Sequence, residues 1–186
     1  MSAIRVRVLA EDDWQDYRAV RLASLQEAPQ AFLANYADEA DKPESYWRDR
    51  LRQAERLLAE SEGTPLGVAS LEMTQGTADS ADFCDLWVTP AARNSGVASR
   101  ILQAAIDQAV LNGCTKLYYW VSTENARAVG FAVNAGFRVT SQRRRAHIEN
   151  AEFGTQEIAL VLSLANDPGA VATSVSARLT PKAGPS

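Results

Sequence analysis

The segment Val88-Thr89-Pro90-Ala91-Ala92-Arg93-Asn94-Ser95-Gly96-Val97-Ala98 decides the fold of this chain. It is preceded by an apolar run, residues 83–88, which Asp85 interrupts and Pro90 ends. Such a run is typical of a strand that is buried on both faces. Apolar residues at helical spacing follow over 97–110, with Asn112-Gly113 as the stop. The segment is therefore predicted to be a loop that connects a buried strand to an amphipathic helix.

A loop in this position is suited to bind an anion. Backbone N–H groups at a helix start have no partner within the helix, and the helix dipole favours negative charge there. Gly96 would let the backbone approach a phosphate, Ala98 keeps the next turn small, and Arg93 adds a charge that diphosphate oxygens can use. Because no Lys-Ser/Thr pair follows Gly96 and the pattern is not G-x-G-x-x-G, the loop is neither a Walker A loop nor a dinucleotide fingerprint.

The patterns outside this segment predict a mixed order of helices and strands. Alternating apolar residues predict a strand over 4–8, and Asp12 or Asp13 is suited to cap a helix that runs from Trp14 to near Pro29. The remaining predicted elements are a helix over 43–53, strands over 56–60 and 65–73 in an antiparallel meander, a strand over 116–121, a helix over 124–134, and strands over 137–140 and 158–164. The order β-α-α-β-β-β-α-β-α-β-β predicts an α/β (α+β) fold with a mixed central sheet of about six to seven strands and about four helices.

Length and composition predict a single globular domain. The chain has 186 residues, of which 46% are hydrophobic and 23% are charged. We expect the domain to span residues 1–164, because residues 165–186 are rich in Pro, Gly, Ser and Thr and hold almost no bulky apolar residue. Such a segment cannot bury enough apolar surface to offset its ordering entropy, which predicts a flexible C-terminal tail.

Charge and cysteine content argue against several classes of protein. The formal net charge of -4 provides no global positive field for a nucleic acid or an anionic membrane. No apolar run approaches the roughly 18 residues of a membrane span, and the acids before residue 14 do not fit a signal peptide, so we expect a cytoplasmic protein. Cys84 and Cys114 are too few for a disulfide framework or a zinc cluster and are interpreted as reduced thiols.

Two motifs together resemble the GNAT superfamily of N-acetyltransferases. Arg93-x-x-Gly96-x-Ala98 matches the Gln/Arg-x-x-Gly-x-Gly/Ala pattern of that superfamily. Downstream, Asn125-x-x-Ala128, then Phe131 and Gly136-Phe137, resembles its second segment. A helix and a strand separate the two motifs as they do in the superfamily, and the resemblance extends over residues 4–164. It implies the GNAT fold and acetyl-CoA as the co-substrate.

The resemblance also implies how the co-substrate binds. The pyrophosphate would lie on the loop with Arg93, and the pantetheine arm beside the preceding strand and near the second motif. The residues implied are Leu86, Trp87, Val88, Arg93, Asn94, Ser95, Gly96, Val97, Ala98, Asn125, Ala128 and Phe131. The backbone N–H of Val88, at a strand bulge, would donate to the thioester carbonyl as an oxyanion hole. Asn125 is equally suited to cap a helix, and Phe131 to lie in the core.

Asp82 and Asp85 are the candidates for the general base. A carboxylate that works through water is the usual type of base for an amine acceptor. Asp82 lies eleven residues before Arg93, the offset of the catalytic carboxylate in some members of the superfamily. Asp85 is an acid inside an apolar run, which is costly without a partner or a task. Strand alternation places the two on opposite faces unless a bulge intervenes, so at most one is expected in the cleft.

The leaving CoA thiolate has no dedicated acid at the position where the superfamily commonly provides one. Seven residues after Asn125, where a Tyr is common, this chain has Ala132. A thiol of pKa about 8.5 leaves readily as an anion, so water or a neighbouring group is a sufficient proton source. Tyr118 and Tyr119 point to opposite faces of their strand, so one of them is suited to face the cleft. His147, the single histidine, is interpreted as idle.

These observations predict an N-acetyltransferase that moves the acetyl group of acetyl-CoA to a primary amine of a small molecule or peptide by direct attack. The acidic and aromatic residues of 30–47 suit a cationic substrate, as a lid or as a solvated connector. The resemblance also implies a possible homodimer. Two alternatives stay open: a non-catalytic acetyl-CoA-binding sensor or regulatory module on the same fold, and a domain that binds another phosphate ligand.

Overall fold

A computed structural model of the chain describes residues 3–29, 34–145 and 156–164. In these residues the strands are β1 (Arg5–Val8), β2 (Glu55–Ser61), β3 (Thr64–Met73), β4 (Ser80–Val88), β5 (Lys116–Ser122), β6 (Arg138–Arg145) and β7 (Gln156–Ser163). The helices are α1 (Trp14–Glu27), α2 (Tyr36–Ala40), α3 (Glu44–Gln53), α4 (Val97–Leu111) and α5 (Ala126–Asn134). The strands form one mixed sheet in the order β1-β2-β3-β4-β5-β7-β6, which confirms the predicted mixed α/β fold.

The pairing of β4 with β5 is parallel and short. It joins residues 80–83 of β4 to residues 116–119 of β5, and the last pair is Phe83 with Tyr119. Beyond that pair β4 stays bonded to β3 as far as Val88, and β5 stays bonded to β7 as far as Ser122. The two strands therefore separate from Phe83 and Tyr119 onward, and a V-shaped cleft opens in the middle of the sheet.

Helices cover both faces of the sheet. On one face α4 packs over a core that includes Leu57, Phe83 and Ile101. On the other face α1 and α3 enclose a second core that includes Leu58 and Trp47, and Trp47 is fully buried. Because side chains alternate along a strand, the neighbours Leu57 and Leu58 lie in different cores. In the described part of the chain, none of the helices combines the length and the apolar character of a membrane span.

The structure adds detail that the sequence patterns did not predict. Within the stretch 30–43 it contains the short helix α2, whose first turn is capped by Asn35 through a 3.0 Å hydrogen bond from the Asp38 N–H. Neither expected aspartate caps α1 with its side chain: a 3-10 turn precedes the helix, and the Asp13 carboxylate accepts from the Ala10 N–H at 2.7 Å. The expected tail, residues 165–186, and His147 lie outside the described residues.

Candidate active site

A cavity of about 760 Å³ occupies the cleft between β4 and β5. Its walls come from the ends of these strands, from the loop before α4, and from the first turns of α4 and α5. The residues that line it are Ala28, Leu86, Trp87, Val88, Ala92, Arg93, Asn94, Gly96, Val97, Ala98, Ser99, Tyr119, Asn125, Ala126, Arg127, Ala128, Gly130, Phe131 and Asn134. Of the residues implied by the resemblance for the co-substrate, all but Ser95 are on this wall. The Ser95 hydroxyl instead donates to the Ala92 carbonyl at 2.6 Å.

The anion-binding end of the cavity is the start of α4. Gly96 precedes the helix with φ +87°, and Asn94 has φ +62°, so the loop turns sharply into α4. A Cβ atom built on Gly96 would have no heavy atom within 4 Å, which leaves free space next to the backbone. The first N–H groups of a helix lack intrahelical acceptors and favour a negative charge. This end of the cavity can therefore hold a phosphate group.

Arg93 is held by protein groups on both sides of its guanidinium. Its Nη2 atom lies 2.6 Å from Glu27 Oε2, and its Nε donates to the Val88 carbonyl at 3.1 Å. The same Glu27 oxygen accepts from Trp87 Nε1 at 2.9 Å. The hydrogen bond from Trp87, together with that from Arg93, lowers the pKa of Glu27. Arg93 thus anchors the loop to α1 and β4, and its contact with diphosphate oxygens stays a prediction.

Arg127 is a cation in the cavity wall that the sequence patterns did not single out. It lies inside the second motif, between Asn125 and Ala128, and its Nη2 donates to Asn94 Oδ1 at 3.3 Å. Asn125 caps α5, because its Oδ1 accepts from the Ala128 N–H at 3.0 Å. The amide of Asn125 also borders the cavity, so capping and ligand contact are compatible. Phe131 lines the cavity while it packs against the core beneath α4.

The Val88 N–H points into the cleft. The neighbouring Thr89 N–H donates to the Leu66 carbonyl on β3 at 2.9 Å, and the Trp87 carbonyl also faces β3, toward Gly67. Because successive backbone groups of a strand alternate in direction, the N–H of Val88 faces away from β3. Leu86 and Val88 pack against one core and Trp87 against the other, so alternation is regular from Leu86 onward and directs the N–H of Leu86 to the cleft as well. Neither group has a strand partner on that side, since β4 and β5 have already separated.

The β-bulge that was expected at Val88 lies earlier in β4. Val88 is in register with Gly67, and Trp87 with Val68, but the next pair joins Ser70 to Cys84. Two residues, Asp85 and Leu86, thus lie opposite one residue of β3. Asp85 has φ +55°, the left-handed backbone that a bulge can require. The predicted position of the bulge, Val88, was wrong because the position of a register shift depends on the partner strand, β3.

The bulge brings Asp82 and Asp85 to the same face of the sheet. The Asp85 carboxylate lies among groups on the face covered by α1: Ser70 Oγ at 3.4 Å, Arg21 Nη1 at 3.8 Å and Arg56 Nη1 at 4.0 Å. Asp82 is in register with Glu72 of β3, two positions along from the Ser70–Cys84 pair, and its side chain therefore lies on the same face as Ser70. The expectation of opposite faces therefore fails, because regular alternation ends at the extra residue.

The two carboxylates have different surroundings. Asp85 is flanked by two guanidinium groups, and Arg21 also holds the buried Glu39 through bonds of 3.0 and 3.1 Å. Asp82 is half-buried and accepts a hydrogen bond of 3.0 Å from Thr74 Oγ1. Burial raises the pKa of Asp82, against the effects of this hydrogen bond, of the charge of Arg144 and of a hydrogen bond from the Trp120 side chain. Asp82 therefore takes up a proton more readily than an exposed aspartate does.

The other residues considered for a role in catalysis lie either in the core or at the cleft. Ala132 is fully buried, so the position at which the superfamily commonly has a Tyr presents no side chain to the cavity. Burial, followed by the charge of Asp85, raises the pKa of the Cys84 thiol well above its ordinary value, which disfavours a nucleophilic thiolate. Tyr119 lines the cavity, whereas Tyr118, next to it on β5, lies on the opposite face.

Residues 11–137 match the model of the Acetyltransferase (GNAT) family. The match spans more than half of the chain, and the chain therefore belongs to the GNAT family of acetyltransferases. The fold and the position of the cavity agree with this membership. No curated protein matches the chain significantly in sequence.

Solved structures of the same fold are similar over most of this chain. The yncA structure from Salmonella typhimurium, solved with its cofactor acetyl-CoA, has a TM-score of 0.66 at 19% identity and covers 88% of this chain and 95% of its own. An N-acetyltransferase from Staphylococcus aureus Mu50 has a TM-score of 0.68 at 17% identity, covering 88% and 100%. A ribosomal-protein-alanine N-acetyltransferase from Brucella melitensis has a TM-score of 0.66 at 17% identity, covering 86% and 99%.

Acetyl-CoA is the co-substrate of this family, and the residues of the cleft fit it. The cavity lies within the range of about 300–1,000 Å³ that small-molecule sites occupy. Open space at Gly96 and the guanidinium of Arg127 suit the phosphates. The apolar side chains of Leu86 and Phe131 suit the pantetheine arm.

Proposed function

We propose that this acetyltransferase moves the acetyl group of acetyl-CoA to a primary amine of a small molecule or peptide by direct attack. The observation that carries the proposal is the cleft itself, in which unpaired backbone N–H groups of β4 border a cavity with a phosphate-binding helix start at one end. We place the catalytic domain in residues 1–164. Acetyl-CoA supplies an activated acetyl group as a thioester.

The backbone of β4 would stabilise charge on the thioester oxygen. The N–H groups of Val88 and Leu86 both face the cleft and lack a strand partner there. Fixed donors of this kind stabilise the negative charge that develops on a carbonyl oxygen during acyl transfer. Leu86 lies at the bulge and nearer the point where the strands meet, while Val88 lies nearer the loop. Because these two donors are about 6.6 Å apart along the strand, one oxygen cannot accept from both, so we assign the oxyanion role to the Leu86 N–H and a contact with the pantetheine arm to the Val88 N–H.

Asp82 is our choice for the general base. A base must accept a proton, and the Asp85 carboxylate would weaken its ion pairs with Arg21 and Arg56 by doing so. Among the described residues Asp82 has no ion pair within 4 Å, although Arg144 attracts it from farther away, and burial raises its pKa toward the working range of a base. Asp85 then acts as a positioning residue that holds the bulge against these arginines.

A primary amine is the acceptor that this site favours. Acetyl transfer needs a nucleophile whose proton a carboxylate can remove, and the ammonium form of an amine is attracted to Asp82. Some of the acids that were expected to attract a cationic substrate already form ion pairs within the protein, since Glu39 is buried against Arg21 and Asp85 faces two arginines. Glu72 is likewise paired with Arg56, at 3.2 Å, so attraction of a cation rests on Asp82.

A non-catalytic acetyl-CoA sensor on the same fold is the second candidate. The observation that favours it is the burial of Ala132, which leaves the cavity without the side chain that many members of the superfamily have there. A sensor would bind acetyl-CoA without release of CoA thiol in the presence of any amine.

Calorimetric titration with acetyl-CoA, followed by thiol release across a panel of amines, tests both candidates. We expect binding that adenosine diphosphate alone does not reproduce, and thiol release with at least one small-molecule or peptide amine. Binding with no thiol release across the panel would favour the sensor. Absence of binding by folded protein would contradict both.

Cellular location and assembly are part of the proposal. The free thiols of Cys84 and Cys114 support a cytoplasmic location, since a reducing compartment keeps thiols unpaired. A homodimer is supported by β6, which forms an edge of the sheet with exposed side chains. Sedimentation analysis of the purified protein measures the assembly directly.

A further inference from the structure

Tyr119 occupies the inner end of the cleft. It is the residue of β5 that pairs with Phe83, the last residue of β4 to be bonded to β5. Its ring is fixed by edge contacts with Phe83 and Phe137, with centroids 5.2 and 6.3 Å apart, and only 7% of the residue is exposed. Tyr119 nevertheless lines the cavity. It is thus a rigid side chain at the inner end of the cavity, on the face of the sheet that α4 covers, whereas Asp82, in register with Tyr118, lies on the other face.

The Tyr119 hydroxyl is available to a ligand. Among the described residues it has no hydrogen-bond partner. The side-chain polar atom of these residues that is both unpartnered and fully enclosed is Arg56 Nε, so the Tyr119 hydroxyl is not fully enclosed. A phenol hydroxyl that is neither bonded nor enclosed borders the open part of the cavity. A buried tyrosine normally finds a partner for its hydroxyl, so the absence of one among the described residues leaves this hydroxyl able to bond a ligand in the cavity.

The reactive end of acetyl-CoA has to reach this part of the cleft. Its phosphates are held at the start of α4, which follows Val88, and the thioester is at the opposite end of the molecule. Val88 lies five positions after Phe83 on β4, which corresponds to roughly 15 Å of extended chain. Of the cavity-lining hydroxyls, Ser99 lies on the first turn of α4, at the phosphate end. Tyr119 is the hydroxyl of the lining at the thioester end.

We propose that the Tyr119 hydroxyl donates a hydrogen bond to the sulfur of CoA as the acetyl group leaves. The inference rests on the proposed function. In the transfer, the amine nitrogen bonds to the carbonyl carbon, the carbon–sulfur bond breaks, and its electron pair stays on sulfur. The proton lost by the amine goes to Asp82 through water, and the thiolate later takes a proton from solvent. Tyr119 lowers the energy of the thiolate without giving up its own proton.

The state of the phenol agrees with a donor that keeps its proton. Burial, followed by the nearby Cys84 and Asp85, raises the pKa of Tyr119 well above its ordinary value. A phenol of this kind is a poor acid toward a thiolate but keeps its proton, and so remains a hydrogen-bond donor, beyond the pH at which an ordinary tyrosine ionises. Hydrogen bonds to charged acceptors are stronger than those to neutral ones. Tyr119 should therefore stabilise the thiolate more than the thioester.

The test compares Tyr119→Phe with Tyr118→Phe, a matched change at the next residue on the opposite face of β5. The first readout is the pKa of the CoA thiol in its complex with the protein, followed by the ultraviolet absorbance of the thiolate, with the desulfo-CoA complex as the blank. Loss of a hydrogen bond to a charged group predicts that Tyr119→Phe raises this pKa by about one unit or more. Tyr118→Phe should leave it unchanged.

The second readout is turnover with an amine that supports thiol release. Tyr119→Phe should lower kcat by about tenfold to a hundredfold and change acetyl-CoA affinity by less than about threefold. An unchanged thiol pKa in folded Tyr119→Phe would overturn the inference. If the wild-type protein releases no thiol with any amine, the proposed function fails, but the thiol pKa still decides the role of Tyr119.

A fluorinated tyrosine at position 119 provides a variant that keeps the shape of the side chain. Fluorination makes the phenol a stronger donor, so the thiol pKa should fall below that of the wild-type complex. This second variant keeps the inference testable if Tyr119→Phe folds poorly. An unchanged or higher thiol pKa would contradict the hydrogen bond.

Discussion

Replacement of Gly96 by Glu tests the phosphate-binding end of the cleft. A carboxylate at this position lies beside the backbone N–H groups that would hold the diphosphate. At a separation of about 4 Å, two like charges repel by about 1 kcal/mol in bulk water and about 4 kcal/mol at the effective dielectric of a protein surface. Since about 1.4 kcal/mol is a factor of ten, we expect Gly96→Glu to bind acetyl-CoA about fivefold to a thousandfold more weakly.

The fold should survive this change. A Cβ atom at Gly96 meets no heavy atom within 4 Å, so the loss of stability comes from the positive φ of +87°, at about 1–2 kcal/mol. Gly76→Glu is a matched control: Gly76 has φ +81°, equally open surroundings, and a place in the turn between β3 and β4. The two variants should lose similar stability in urea unfolding, and only Gly96→Glu should lose affinity.

Calorimetry at several salt concentrations separates charge from size. Gly96→Gln has the size of the glutamate variant without its charge, so it should bind acetyl-CoA more tightly than Gly96→Glu does. The difference between them should shrink as salt screens the repulsion. Wild-type affinity in a folded Gly96→Glu protein would refute the assignment of the diphosphate to this loop.

The remaining predictions concern the base, the strand pairing and the loop anchor. Asp82→Asn should lower kcat at least tenfold with little change in acetyl-CoA affinity, and equal kcat in Asp82→Asn and wild type would exclude Asp82 as the base. Asp85→Asn should also lower stability, because Arg21 and Arg56 each lose one of their carboxylate partners. Gly67→Ala should destabilise the protein by about 1–3 kcal/mol in urea unfolding, because its Cβ would lie 2.7 Å from the Trp87 carbonyl oxygen. Wild-type stability of this variant would show that β3 and β4 can move apart at no cost. Glu27 has a lowered pKa in the folded protein, so its contribution to stability is present above its ordinary pKa of 4.5 and is lost as the pH falls through the lowered pKa. The difference in unfolding free energy between wild type and Glu27→Gln should therefore vanish at acid pH. A difference that does not depend on pH would contradict the hydrogen bonds to Glu27.

Local patterns were sufficient for the elements around the site. The apolar stripe of α4, its stop at Asn112-Gly113 and the turn at Gly96 each depend on residues a few positions apart, and the structure has all three. The loop motif and the start of the second motif lie on the cavity wall for the same reason, since each belongs to one loop or one helix start. The structure therefore confirms the predicted order of strands and helices, with the short helix α2 added and changes in the ends of the elements.

The catalytic face required contacts between residues far apart in the chain. The bulge at Asp85 arises where β4 changes register on β3, and no local pattern in β4 reports the register of its partner. The same holds for Glu39, an acid of a polar stretch that is buried because Arg21 binds it. Strand alternation assumed a regular strand, and that assumption placed Asp82 and Asp85 on opposite faces.

The sequence by itself determined the fold class, the loop before α4 and the family to which the chain belongs, because these depend on periodicity and on short motifs. Tertiary structure alone decided that β4 and β5 separate after Phe83 and Tyr119, that both aspartates share one face, and that Tyr119 borders the cavity with a hydroxyl that no described residue bonds. The physical reason is that each of these features is set by hydrogen bonds and packing between strands that are distant in sequence.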